Sequence, residues 1–159
     1  MWEQQYQEAF EAIKELLVSP AVLEVPVQGH QYIVRTDYSA TGMGYLLTQI
    51  RPATEDSPER EAIMAFDSKS FSQAPVLSGS SKLELFGLSL AVHCFRHYLT
   101  GEHFLIYCDN SGVIGLLKPT SQLNGEASRT VIRLIEKLMP YSFTLKHVAV
   151  KFSRIMLIS

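Results

Sequence analysis

The sequence predicts an α/β domain: one mixed five-stranded sheet flanked by helices, with an extra helix at the N-terminal end. Three observations carry this expectation. Three β-rich runs follow one another between residues 30 and 71 with only turn and loop residues between them. Two further apolar runs, over 103–109 and 141–150, are each preceded by helical periodicity. A chain of 159 residues that is 47% hydrophobic supplies one ordinary core and not two comfortable ones.

The elements follow in order. Phe10, Ile13, Leu16 and Leu17 recur at helical spacing among Glu and Gln, and Ser19-Pro20 stops the pattern, so a helix is expected over 3–18. HQYIVRTD, then SATGMG, then YLLTQI reads as two strands joined by a glycine-containing turn. RPATEDSPERE, polar with two prolines, is a surface loop, and AIMAFDSKSF supplies a third antiparallel strand. From Ser80 the period changes: Glu84, Leu88, Ala91 and Phe95 share a face with Leu85, Val92 and Leu99 beside it, predicting one long buried helix that stops at Gly101. HFLIYCD is a near-continuous apolar run, as in a central strand covered on both faces. NSGVIGLL starts a short helix, PTSQLNGE is a loop, ASRTVIRLIEKLM is an amphipathic helix ended by Pro140, and YSFTLKHVAV is the fifth strand. Residues 1–28 are taken as a helix and connector, and 29–159 as the domain proper.

Composition narrows the function classes. The net charge of −2 argues against a simple basic nucleic-acid binder, although residues 1–81 carry −6 and residues 82–159 carry +4. That basic second half could hold phosphates. Cys94 and Cys108 lie in apolar runs and read as buried free thiols, which fits an intracellular, non-secreted setting. The acidic, amphipathic start lacks the layout of a secretory signal, and no apolar run approaches the roughly 18 residues of a membrane span.

Three acids stand out by position. Asp37 ends the first strand, Glu84 lies near the start of the long helix on its sheet-facing edge, and Asp109 ends the central strand. In a sheet of this order the three can converge. Carboxylates gathered without a basic partner repel, so they need protons or cations. A pair of Mg²⁺ ions suits them, because hard cations take carboxylate oxygens and two ions about 3.5–4 Å apart can clamp the attacking water and leaving oxygen of a phosphodiester. Taken singly, each acid has a plain structural reading, because Asp commonly caps strands and helices; for Asp109 before Asn110-Ser111, capping reads at least as well as catalysis.

Other features have plainer readings. His93 and His97 stand four apart, the spacing of a zinc pair, but CFR between them offers no acid and they read as structural rather than as metal ligands. His147 lies in the last strand, where it could approach the site, although a surface position on an edge strand is the plainer reading. Gly42 and Gly44 lack the lysine and following helix of a phosphate cradle and are expected to serve a tight hairpin. Ser70, Ser72, Ser78, Ser80 and Ser81 read as a polar loop. Arg129, Arg133 and Lys137 recur on one helical face, either solvated or against a phosphate backbone.

Several blocks resemble one family. TDYSATGMGYLLTQ is similar to T-D-A-S-x-x-G-x-G-x-x-L-x-Q, AFDSKSFS to A-Y-x-S-R-x-L-S, and SSKLELFGLSLAVHCFRHYLTGEHFLIYCDN to T-x-x-E-x-x-A-x-x-x-A-x-x-x-F-R-H-Y-L-x-G-x-x-F-x-x-x-T-D. These are patterns of the ribonuclease H domain of reverse transcriptases from gypsy-type LTR retrotransposons, and the likeness runs over nearly the whole chain. WEQQYQEAFEAIKELLVSPAVLEVP looks like the segment joining the polymerase part to the nuclease part. The resemblance implies a ribonuclease H-like fold, with Asp37, Glu84 and Asp109 as catalytic metal ligands. It further implies a two-ion Mg²⁺ site in which Mn²⁺ can substitute, and cleavage of the RNA strand of an RNA/DNA hybrid. A larger polyprotein with a polymerase domain upstream is implied as well. The order Asp, Glu, Asp differs from the integrase and transposase branch of the fold, where Glu comes last. Gly87 departs from the usual Ala but keeps a small residue facing the sheet.

The tail departs further. The family continues H-V-P-G-K-x-N-x-x-A-D-A-L-S-R, whereas this chain reads HVAVKFSRIML. His147 and Lys151 match, Val150 stands where Gly is usual, Ser153 where Asn is usual, and Leu157 where the fourth carboxylate belongs. Leucine cannot ligate Mg²⁺, so a weakened nuclease is expected. The alternative is a noncatalytic scaffold or nucleic-acid-binding module of the same descent.

Overall fold

A computed structural model of the chain describes residues 4–17, 22–39, 41–71, 79–117 and 126–148. Helix α1 spans Gln4–Leu17, and the strands are β1 Tyr32–Tyr38, β2 Gly42–Arg51, β3 Arg60–Ser70, β4 His103–Cys108 and β5 Ser142–His147. The remaining helices are α2 Ser80–Cys94, α3 Arg96–Leu99, α4 Ser111–Leu116 and α5 Glu126–Leu138. One sheet holds all five strands in the order β3-β2-β1-β4-β5. β1, β2 and β3 pair antiparallel, while β1–β4 and β4–β5 are parallel, which makes it the expected mixed sheet.

Alternation along the strands assigns the two faces. Tyr32 and Val34 of β1, Met43, Tyr45 and Leu47 of β2, and Phe104, Ile106 and Cys108 of β4 are buried in one cluster with Leu85, Leu88, Ala91 and Val92 of α2. Val131, Leu134 and Leu138 of α5 complete it. A Cβ on Gly87 would lie 3.0 Å from the Met43 methyl, so the small residue does allow α2 to approach the sheet closely. The opposite face carries a polar network. Arg35, 6% exposed, holds Glu61 through paired bonds of 2.7 and 2.6 Å, bonds Thr48 Oγ1 at 3.1 Å and stacks over the Tyr107 ring at 4.6 Å.

The long helix expected from Ser80 to Leu99 is divided. Phe95 takes φ −89°, ψ 12° between α2 and α3, and its buried ring meets Tyr45 edge-on at 5.7 Å. The break lets the chain bury Phe95 against the sheet and then resume, so that Leu99 is also buried. Gly101, at φ +82°, supplies the left-handed stop that was expected.

The glycines of the β1–β2 connection act differently from expectation. Neither Gly42 nor Gly44 has a positive φ; Ser39 shapes the turn instead, its Oγ accepting from Gly42 N at 3.2 Å and donating to the Gly42 carbonyl at 3.0 Å. Gly42 is needed for close approach, because a Cβ there would sit 2.8 Å from the Lys69 carbonyl oxygen of β3. Gly42→Ala is therefore expected to destabilise the fold by about 1–3 kcal/mol in urea unfolding. Gly44→Ala, with open space around its Cβ, should stay within about 0.5 kcal/mol of wild type.

Residues 22–30 are tied to the sheet by Gln49. This fully buried side chain donates to the Val27 and His30 carbonyls at 2.8 and 3.0 Å and accepts from Val27 N at 2.9 Å.

Candidate active site

Parallel pairing places two of the three acids beside one another. Arg35 pairs with Tyr107 in the β1–β4 ladder; Asp37 and Asp109 each lie two residues further on, at the C-terminal ends of adjacent strands. Glu84 reaches the same edge from the first turns of α2. Among the described residues, Glu84, Cys108 and Asp109 form a group whose ligand atoms all lie within 4.8 Å of one another. Asp37 falls outside that group. It is exposed and lines a polar cavity of about 260 Å³ with Ser39, Thr41, Ser68 and Lys69.

Cys108 was not expected here, although strand alternation from Ile106 directs it toward α2. Its Sγ donates to Glu84 Oε2 at 3.5 Å, and it is 6% exposed. Burial, reinforced by the neighbouring Glu84 and Asp109 charges, pushes the thiol up to about 11, so it is protonated at neutral pH. The donors left at the strand end are carboxylate oxygens, a set that fits a hard divalent cation.

Asn110 and its partners form the second unexpected feature. The Asn110 carboxamide donates to Glu84 Oε1 at 3.0 Å and Ser80 Oγ at 3.3 Å, and it accepts from Ser81 Oγ at 3.1 Å and Gly112 N at 2.8 Å. Ser80 and Ser81, which close the serine-rich stretch where the helical period begins, form the first turn of α2. His147 is exposed at the edge of the sheet and also approaches the site, as its place in the last strand allowed: its Nε2–H donates to the Asp109 carbonyl at 3.0 Å. Val148 N extends the ladder to the Cys108 carbonyl at 2.9 Å. His93 and His97 are exposed and belong to no cation-sized group among the described residues. Arg129, Arg133 and Lys137 are exposed on α5. The departure at Leu157 lies outside the described residues.

A mixed sheet in this strand order, with acids at the ends of its two central strands and on the packed helix, defines a ribonuclease H-like domain. A family profile described as "RNase H-like domain found in reverse transcriptase" matches residues 2–106, and the chain belongs to that family. It is 29% identical over 161 residues to the retrovirus-related Pol polyprotein from transposon 412 of Drosophila melanogaster, a gypsy-type LTR element, covering 97% of this chain and 12% of that polyprotein. The chain thus spans about an eighth of that relative's length. Among solved structures it resembles the foamy viral protease-reverse transcriptase in complex with dsDNA, with TM-score 0.64, 14% identity, and coverage of 95% of this chain and 30% of that one. It also resembles RNase H1 from the halophilic archaeon Halobacterium salinarum, with TM-score 0.51, 14% identity, and coverage of 79% and 89%. At these identities the two structures speak for the fold alone.

Proposed function

We propose that this chain is the hybrid-cleaving unit of a retroelement reverse transcriptase, hydrolysing the RNA strand of an RNA/DNA hybrid with Mg²⁺ or Mn²⁺. The observation that carries the reading is the meeting of the Glu84 and Asp109 carboxylates at a strand end, with Asp37 at the matching step of the neighbouring strand. Glu84, Asp109 and Asp37 would hold the cations, whose chemistry is to activate water and to neutralise charge on the scissile phosphate. The protonated Cys108 leaves the oxygens as donors. The His147 bond to the Asp109 carbonyl fixes the strand end from which the Asp109 side chain projects. We read residues 1–28 as the segment leading from a polymerase domain upstream, with 22–30 anchored on β2 by Gln49. No helix among the described residues is long and apolar enough to cross a membrane.

Leu157 in place of the fourth acid supports a second reading, a noncatalytic nucleic-acid-binding module. One assay separates the two: an end-labelled RNA/DNA hybrid incubated with the chain in Mg²⁺ and in Mn²⁺, beside Asp109→Asn. Nuclease function predicts RNA cleavage that Asp109→Asn lowers at least about 100-fold, since outer-sphere partners alone are worth 10–100-fold. Equal cleavage by both proteins would sink the enzyme reading, and hybrid binding without cleavage would establish the module.

A further inference from the structure

We propose that Asn110 is a positioning residue that orients the Glu84 carboxylate toward the cation; this rests on the assignment of Glu84 as a ligand. The carboxamide of Asn110 uses its full hydrogen-bonding capacity. Its Oδ1 accepts from Gly112 N and Ser81 Oγ, and its Nδ2 donates to Glu84 Oε1 and Ser80 Oγ. The amide's orientation follows from those partners. A flipped amide would set its oxygen against the Glu84 carboxylate and its NH₂ against the Gly112 N–H, two repulsive contacts in place of two bonds. The group is clamped between the start of α4 and the first turn of α2, the helix that carries Glu84.

The room around it is closed. A Cβ on Gly112 would lie 2.0 Å from Ser81 Oγ and 2.9 Å from Asn110 Oδ1, so glycine is what allows the clamp to assemble.

A helix cap alone does not require an amide. Asp, Ser or Thr caps as well through a single oxygen, and only the Nδ2 side, aimed at Glu84, distinguishes Asn from them. A neutral donor also has an advantage over a cationic one. It restrains the carboxylate without cancelling its charge, so the charge remains available to a metal, whereas Lys or Arg in this place would compete with the ion. Glu84 Oε2 has the weaker Cys108 thiol as its donor, which leaves Asn110 as the stronger restraint.

The test is a calorimetric titration of the metal-free chain with Mn²⁺, run on wild type, Asn110→Ser, Asn110→Asp and Glu84→Gln, with thermal melts in the absence of metal. Asn110→Ser keeps a capping oxygen and loses the donor. It should melt within about 3 °C of wild type and bind Mn²⁺ about 10-fold more weakly. Wild-type Mn²⁺ affinity in Asn110→Ser overturns the inference. Should Asn110→Ser fail to fold, Asn110→Asp retains shape and cap; it should cleave hybrid about 10-fold more slowly in saturating Mn²⁺, and undiminished cleavage overturns the inference equally. Glu84→Gln separates the two levels. If it binds Mn²⁺ like wild type, the ligand assignment fails and takes the inference with it. If it loses Mn²⁺ while Asn110→Ser does not, the role of Asn110 alone falls.

Discussion

Unfolding of a Glu61→Ala chain is expected to require about 2–3 kcal/mol less free energy than unfolding of wild type, the largest stability loss anticipated for a single charged residue. Arg35 lies in the middle strand of the sheet, and its guanidinium is satisfied by both oxygens of Glu61 and by Thr48 Oγ1, which itself donates to Glu61 Oε2 at 3.0 Å. Removing Glu61 leaves a buried cation with one hydroxyl and the Tyr107 ring as partners. Breaking a fully buried pair in this way costs about 3–5 kcal/mol. The lower figure applies because the Glu61 side chain is 29% exposed and water can enter in its place. The double replacement Arg35→Met with Glu61→Leu should recover most of the loss, since apolar groups of similar volume avoid the desolvation penalty. Denaturant midpoints for Arg35→Met, Glu61→Leu and the double close the cycle. A Glu61→Ala midpoint equal to that of wild type would mean the pair contributes nothing.

The legible parts of the sequence were those set by local patterning. The β-branched and aromatic content of HQYIVRTD and the apolar run HFLIYCD marked the two central strands, and with them the positions of Asp37 and Asp109. The break at Phe95 was not legible, because the 3.6-residue period continues through it, and the Phe95 ring's edge-on partner, Tyr45, lies 50 residues away in sequence. Gly42 shows a related limit, since its spacing suits a hairpin turn while its actual constraint is the Lys69 carbonyl across the ladder. The clamp of Ser80, Ser81 and Gly112 around Asn110 joins segments about 30 residues apart, and a serine-rich stretch gives no sign of such a partner. One signal was available: Asn before Ser-Gly at the end of a strand is a capping pattern, and a capping side chain beside a strand-end acid invites the question of where its second polar atom points. The expectation that a fourth carboxylate is missing rests on the sequence HVAVKFSRIML, most of which lies outside the described residues.

Asp37→Asn is expected to shift stability and activity in opposite directions, a signature that separates a ligand from a structural acid. Asp37 and Asp109 lie at matching steps of adjacent parallel strands, whose backbones run about 4.8 Å apart, and Glu84 joins Asp109 from α2. Without a cation these charges repel. Both aspartates are exposed, so solvent and salt screen the repulsion to less than about 1 kcal/mol. Neutralising Asp37 should therefore raise the metal-free melting temperature slightly at low ionic strength. A divalent cation reverses the ranking. Wild type at a concentration 100 times its dissociation constant gains about 2.7 kcal/mol by linkage, whereas Asp37→Asn, with a weakened site, gains less at the same concentration. Hybrid cleavage by the variant should fall at least about 100-fold, as for loss of a direct ligand. The paired measurement is a melting curve with and without Mg²⁺ for both proteins, alongside the cleavage rate. An Asp37→Asn chain that melts lower without metal, yet responds to Mg²⁺ as wild type does, would assign Asp37 to the architecture of the β1–β2 turn and remove it from the site.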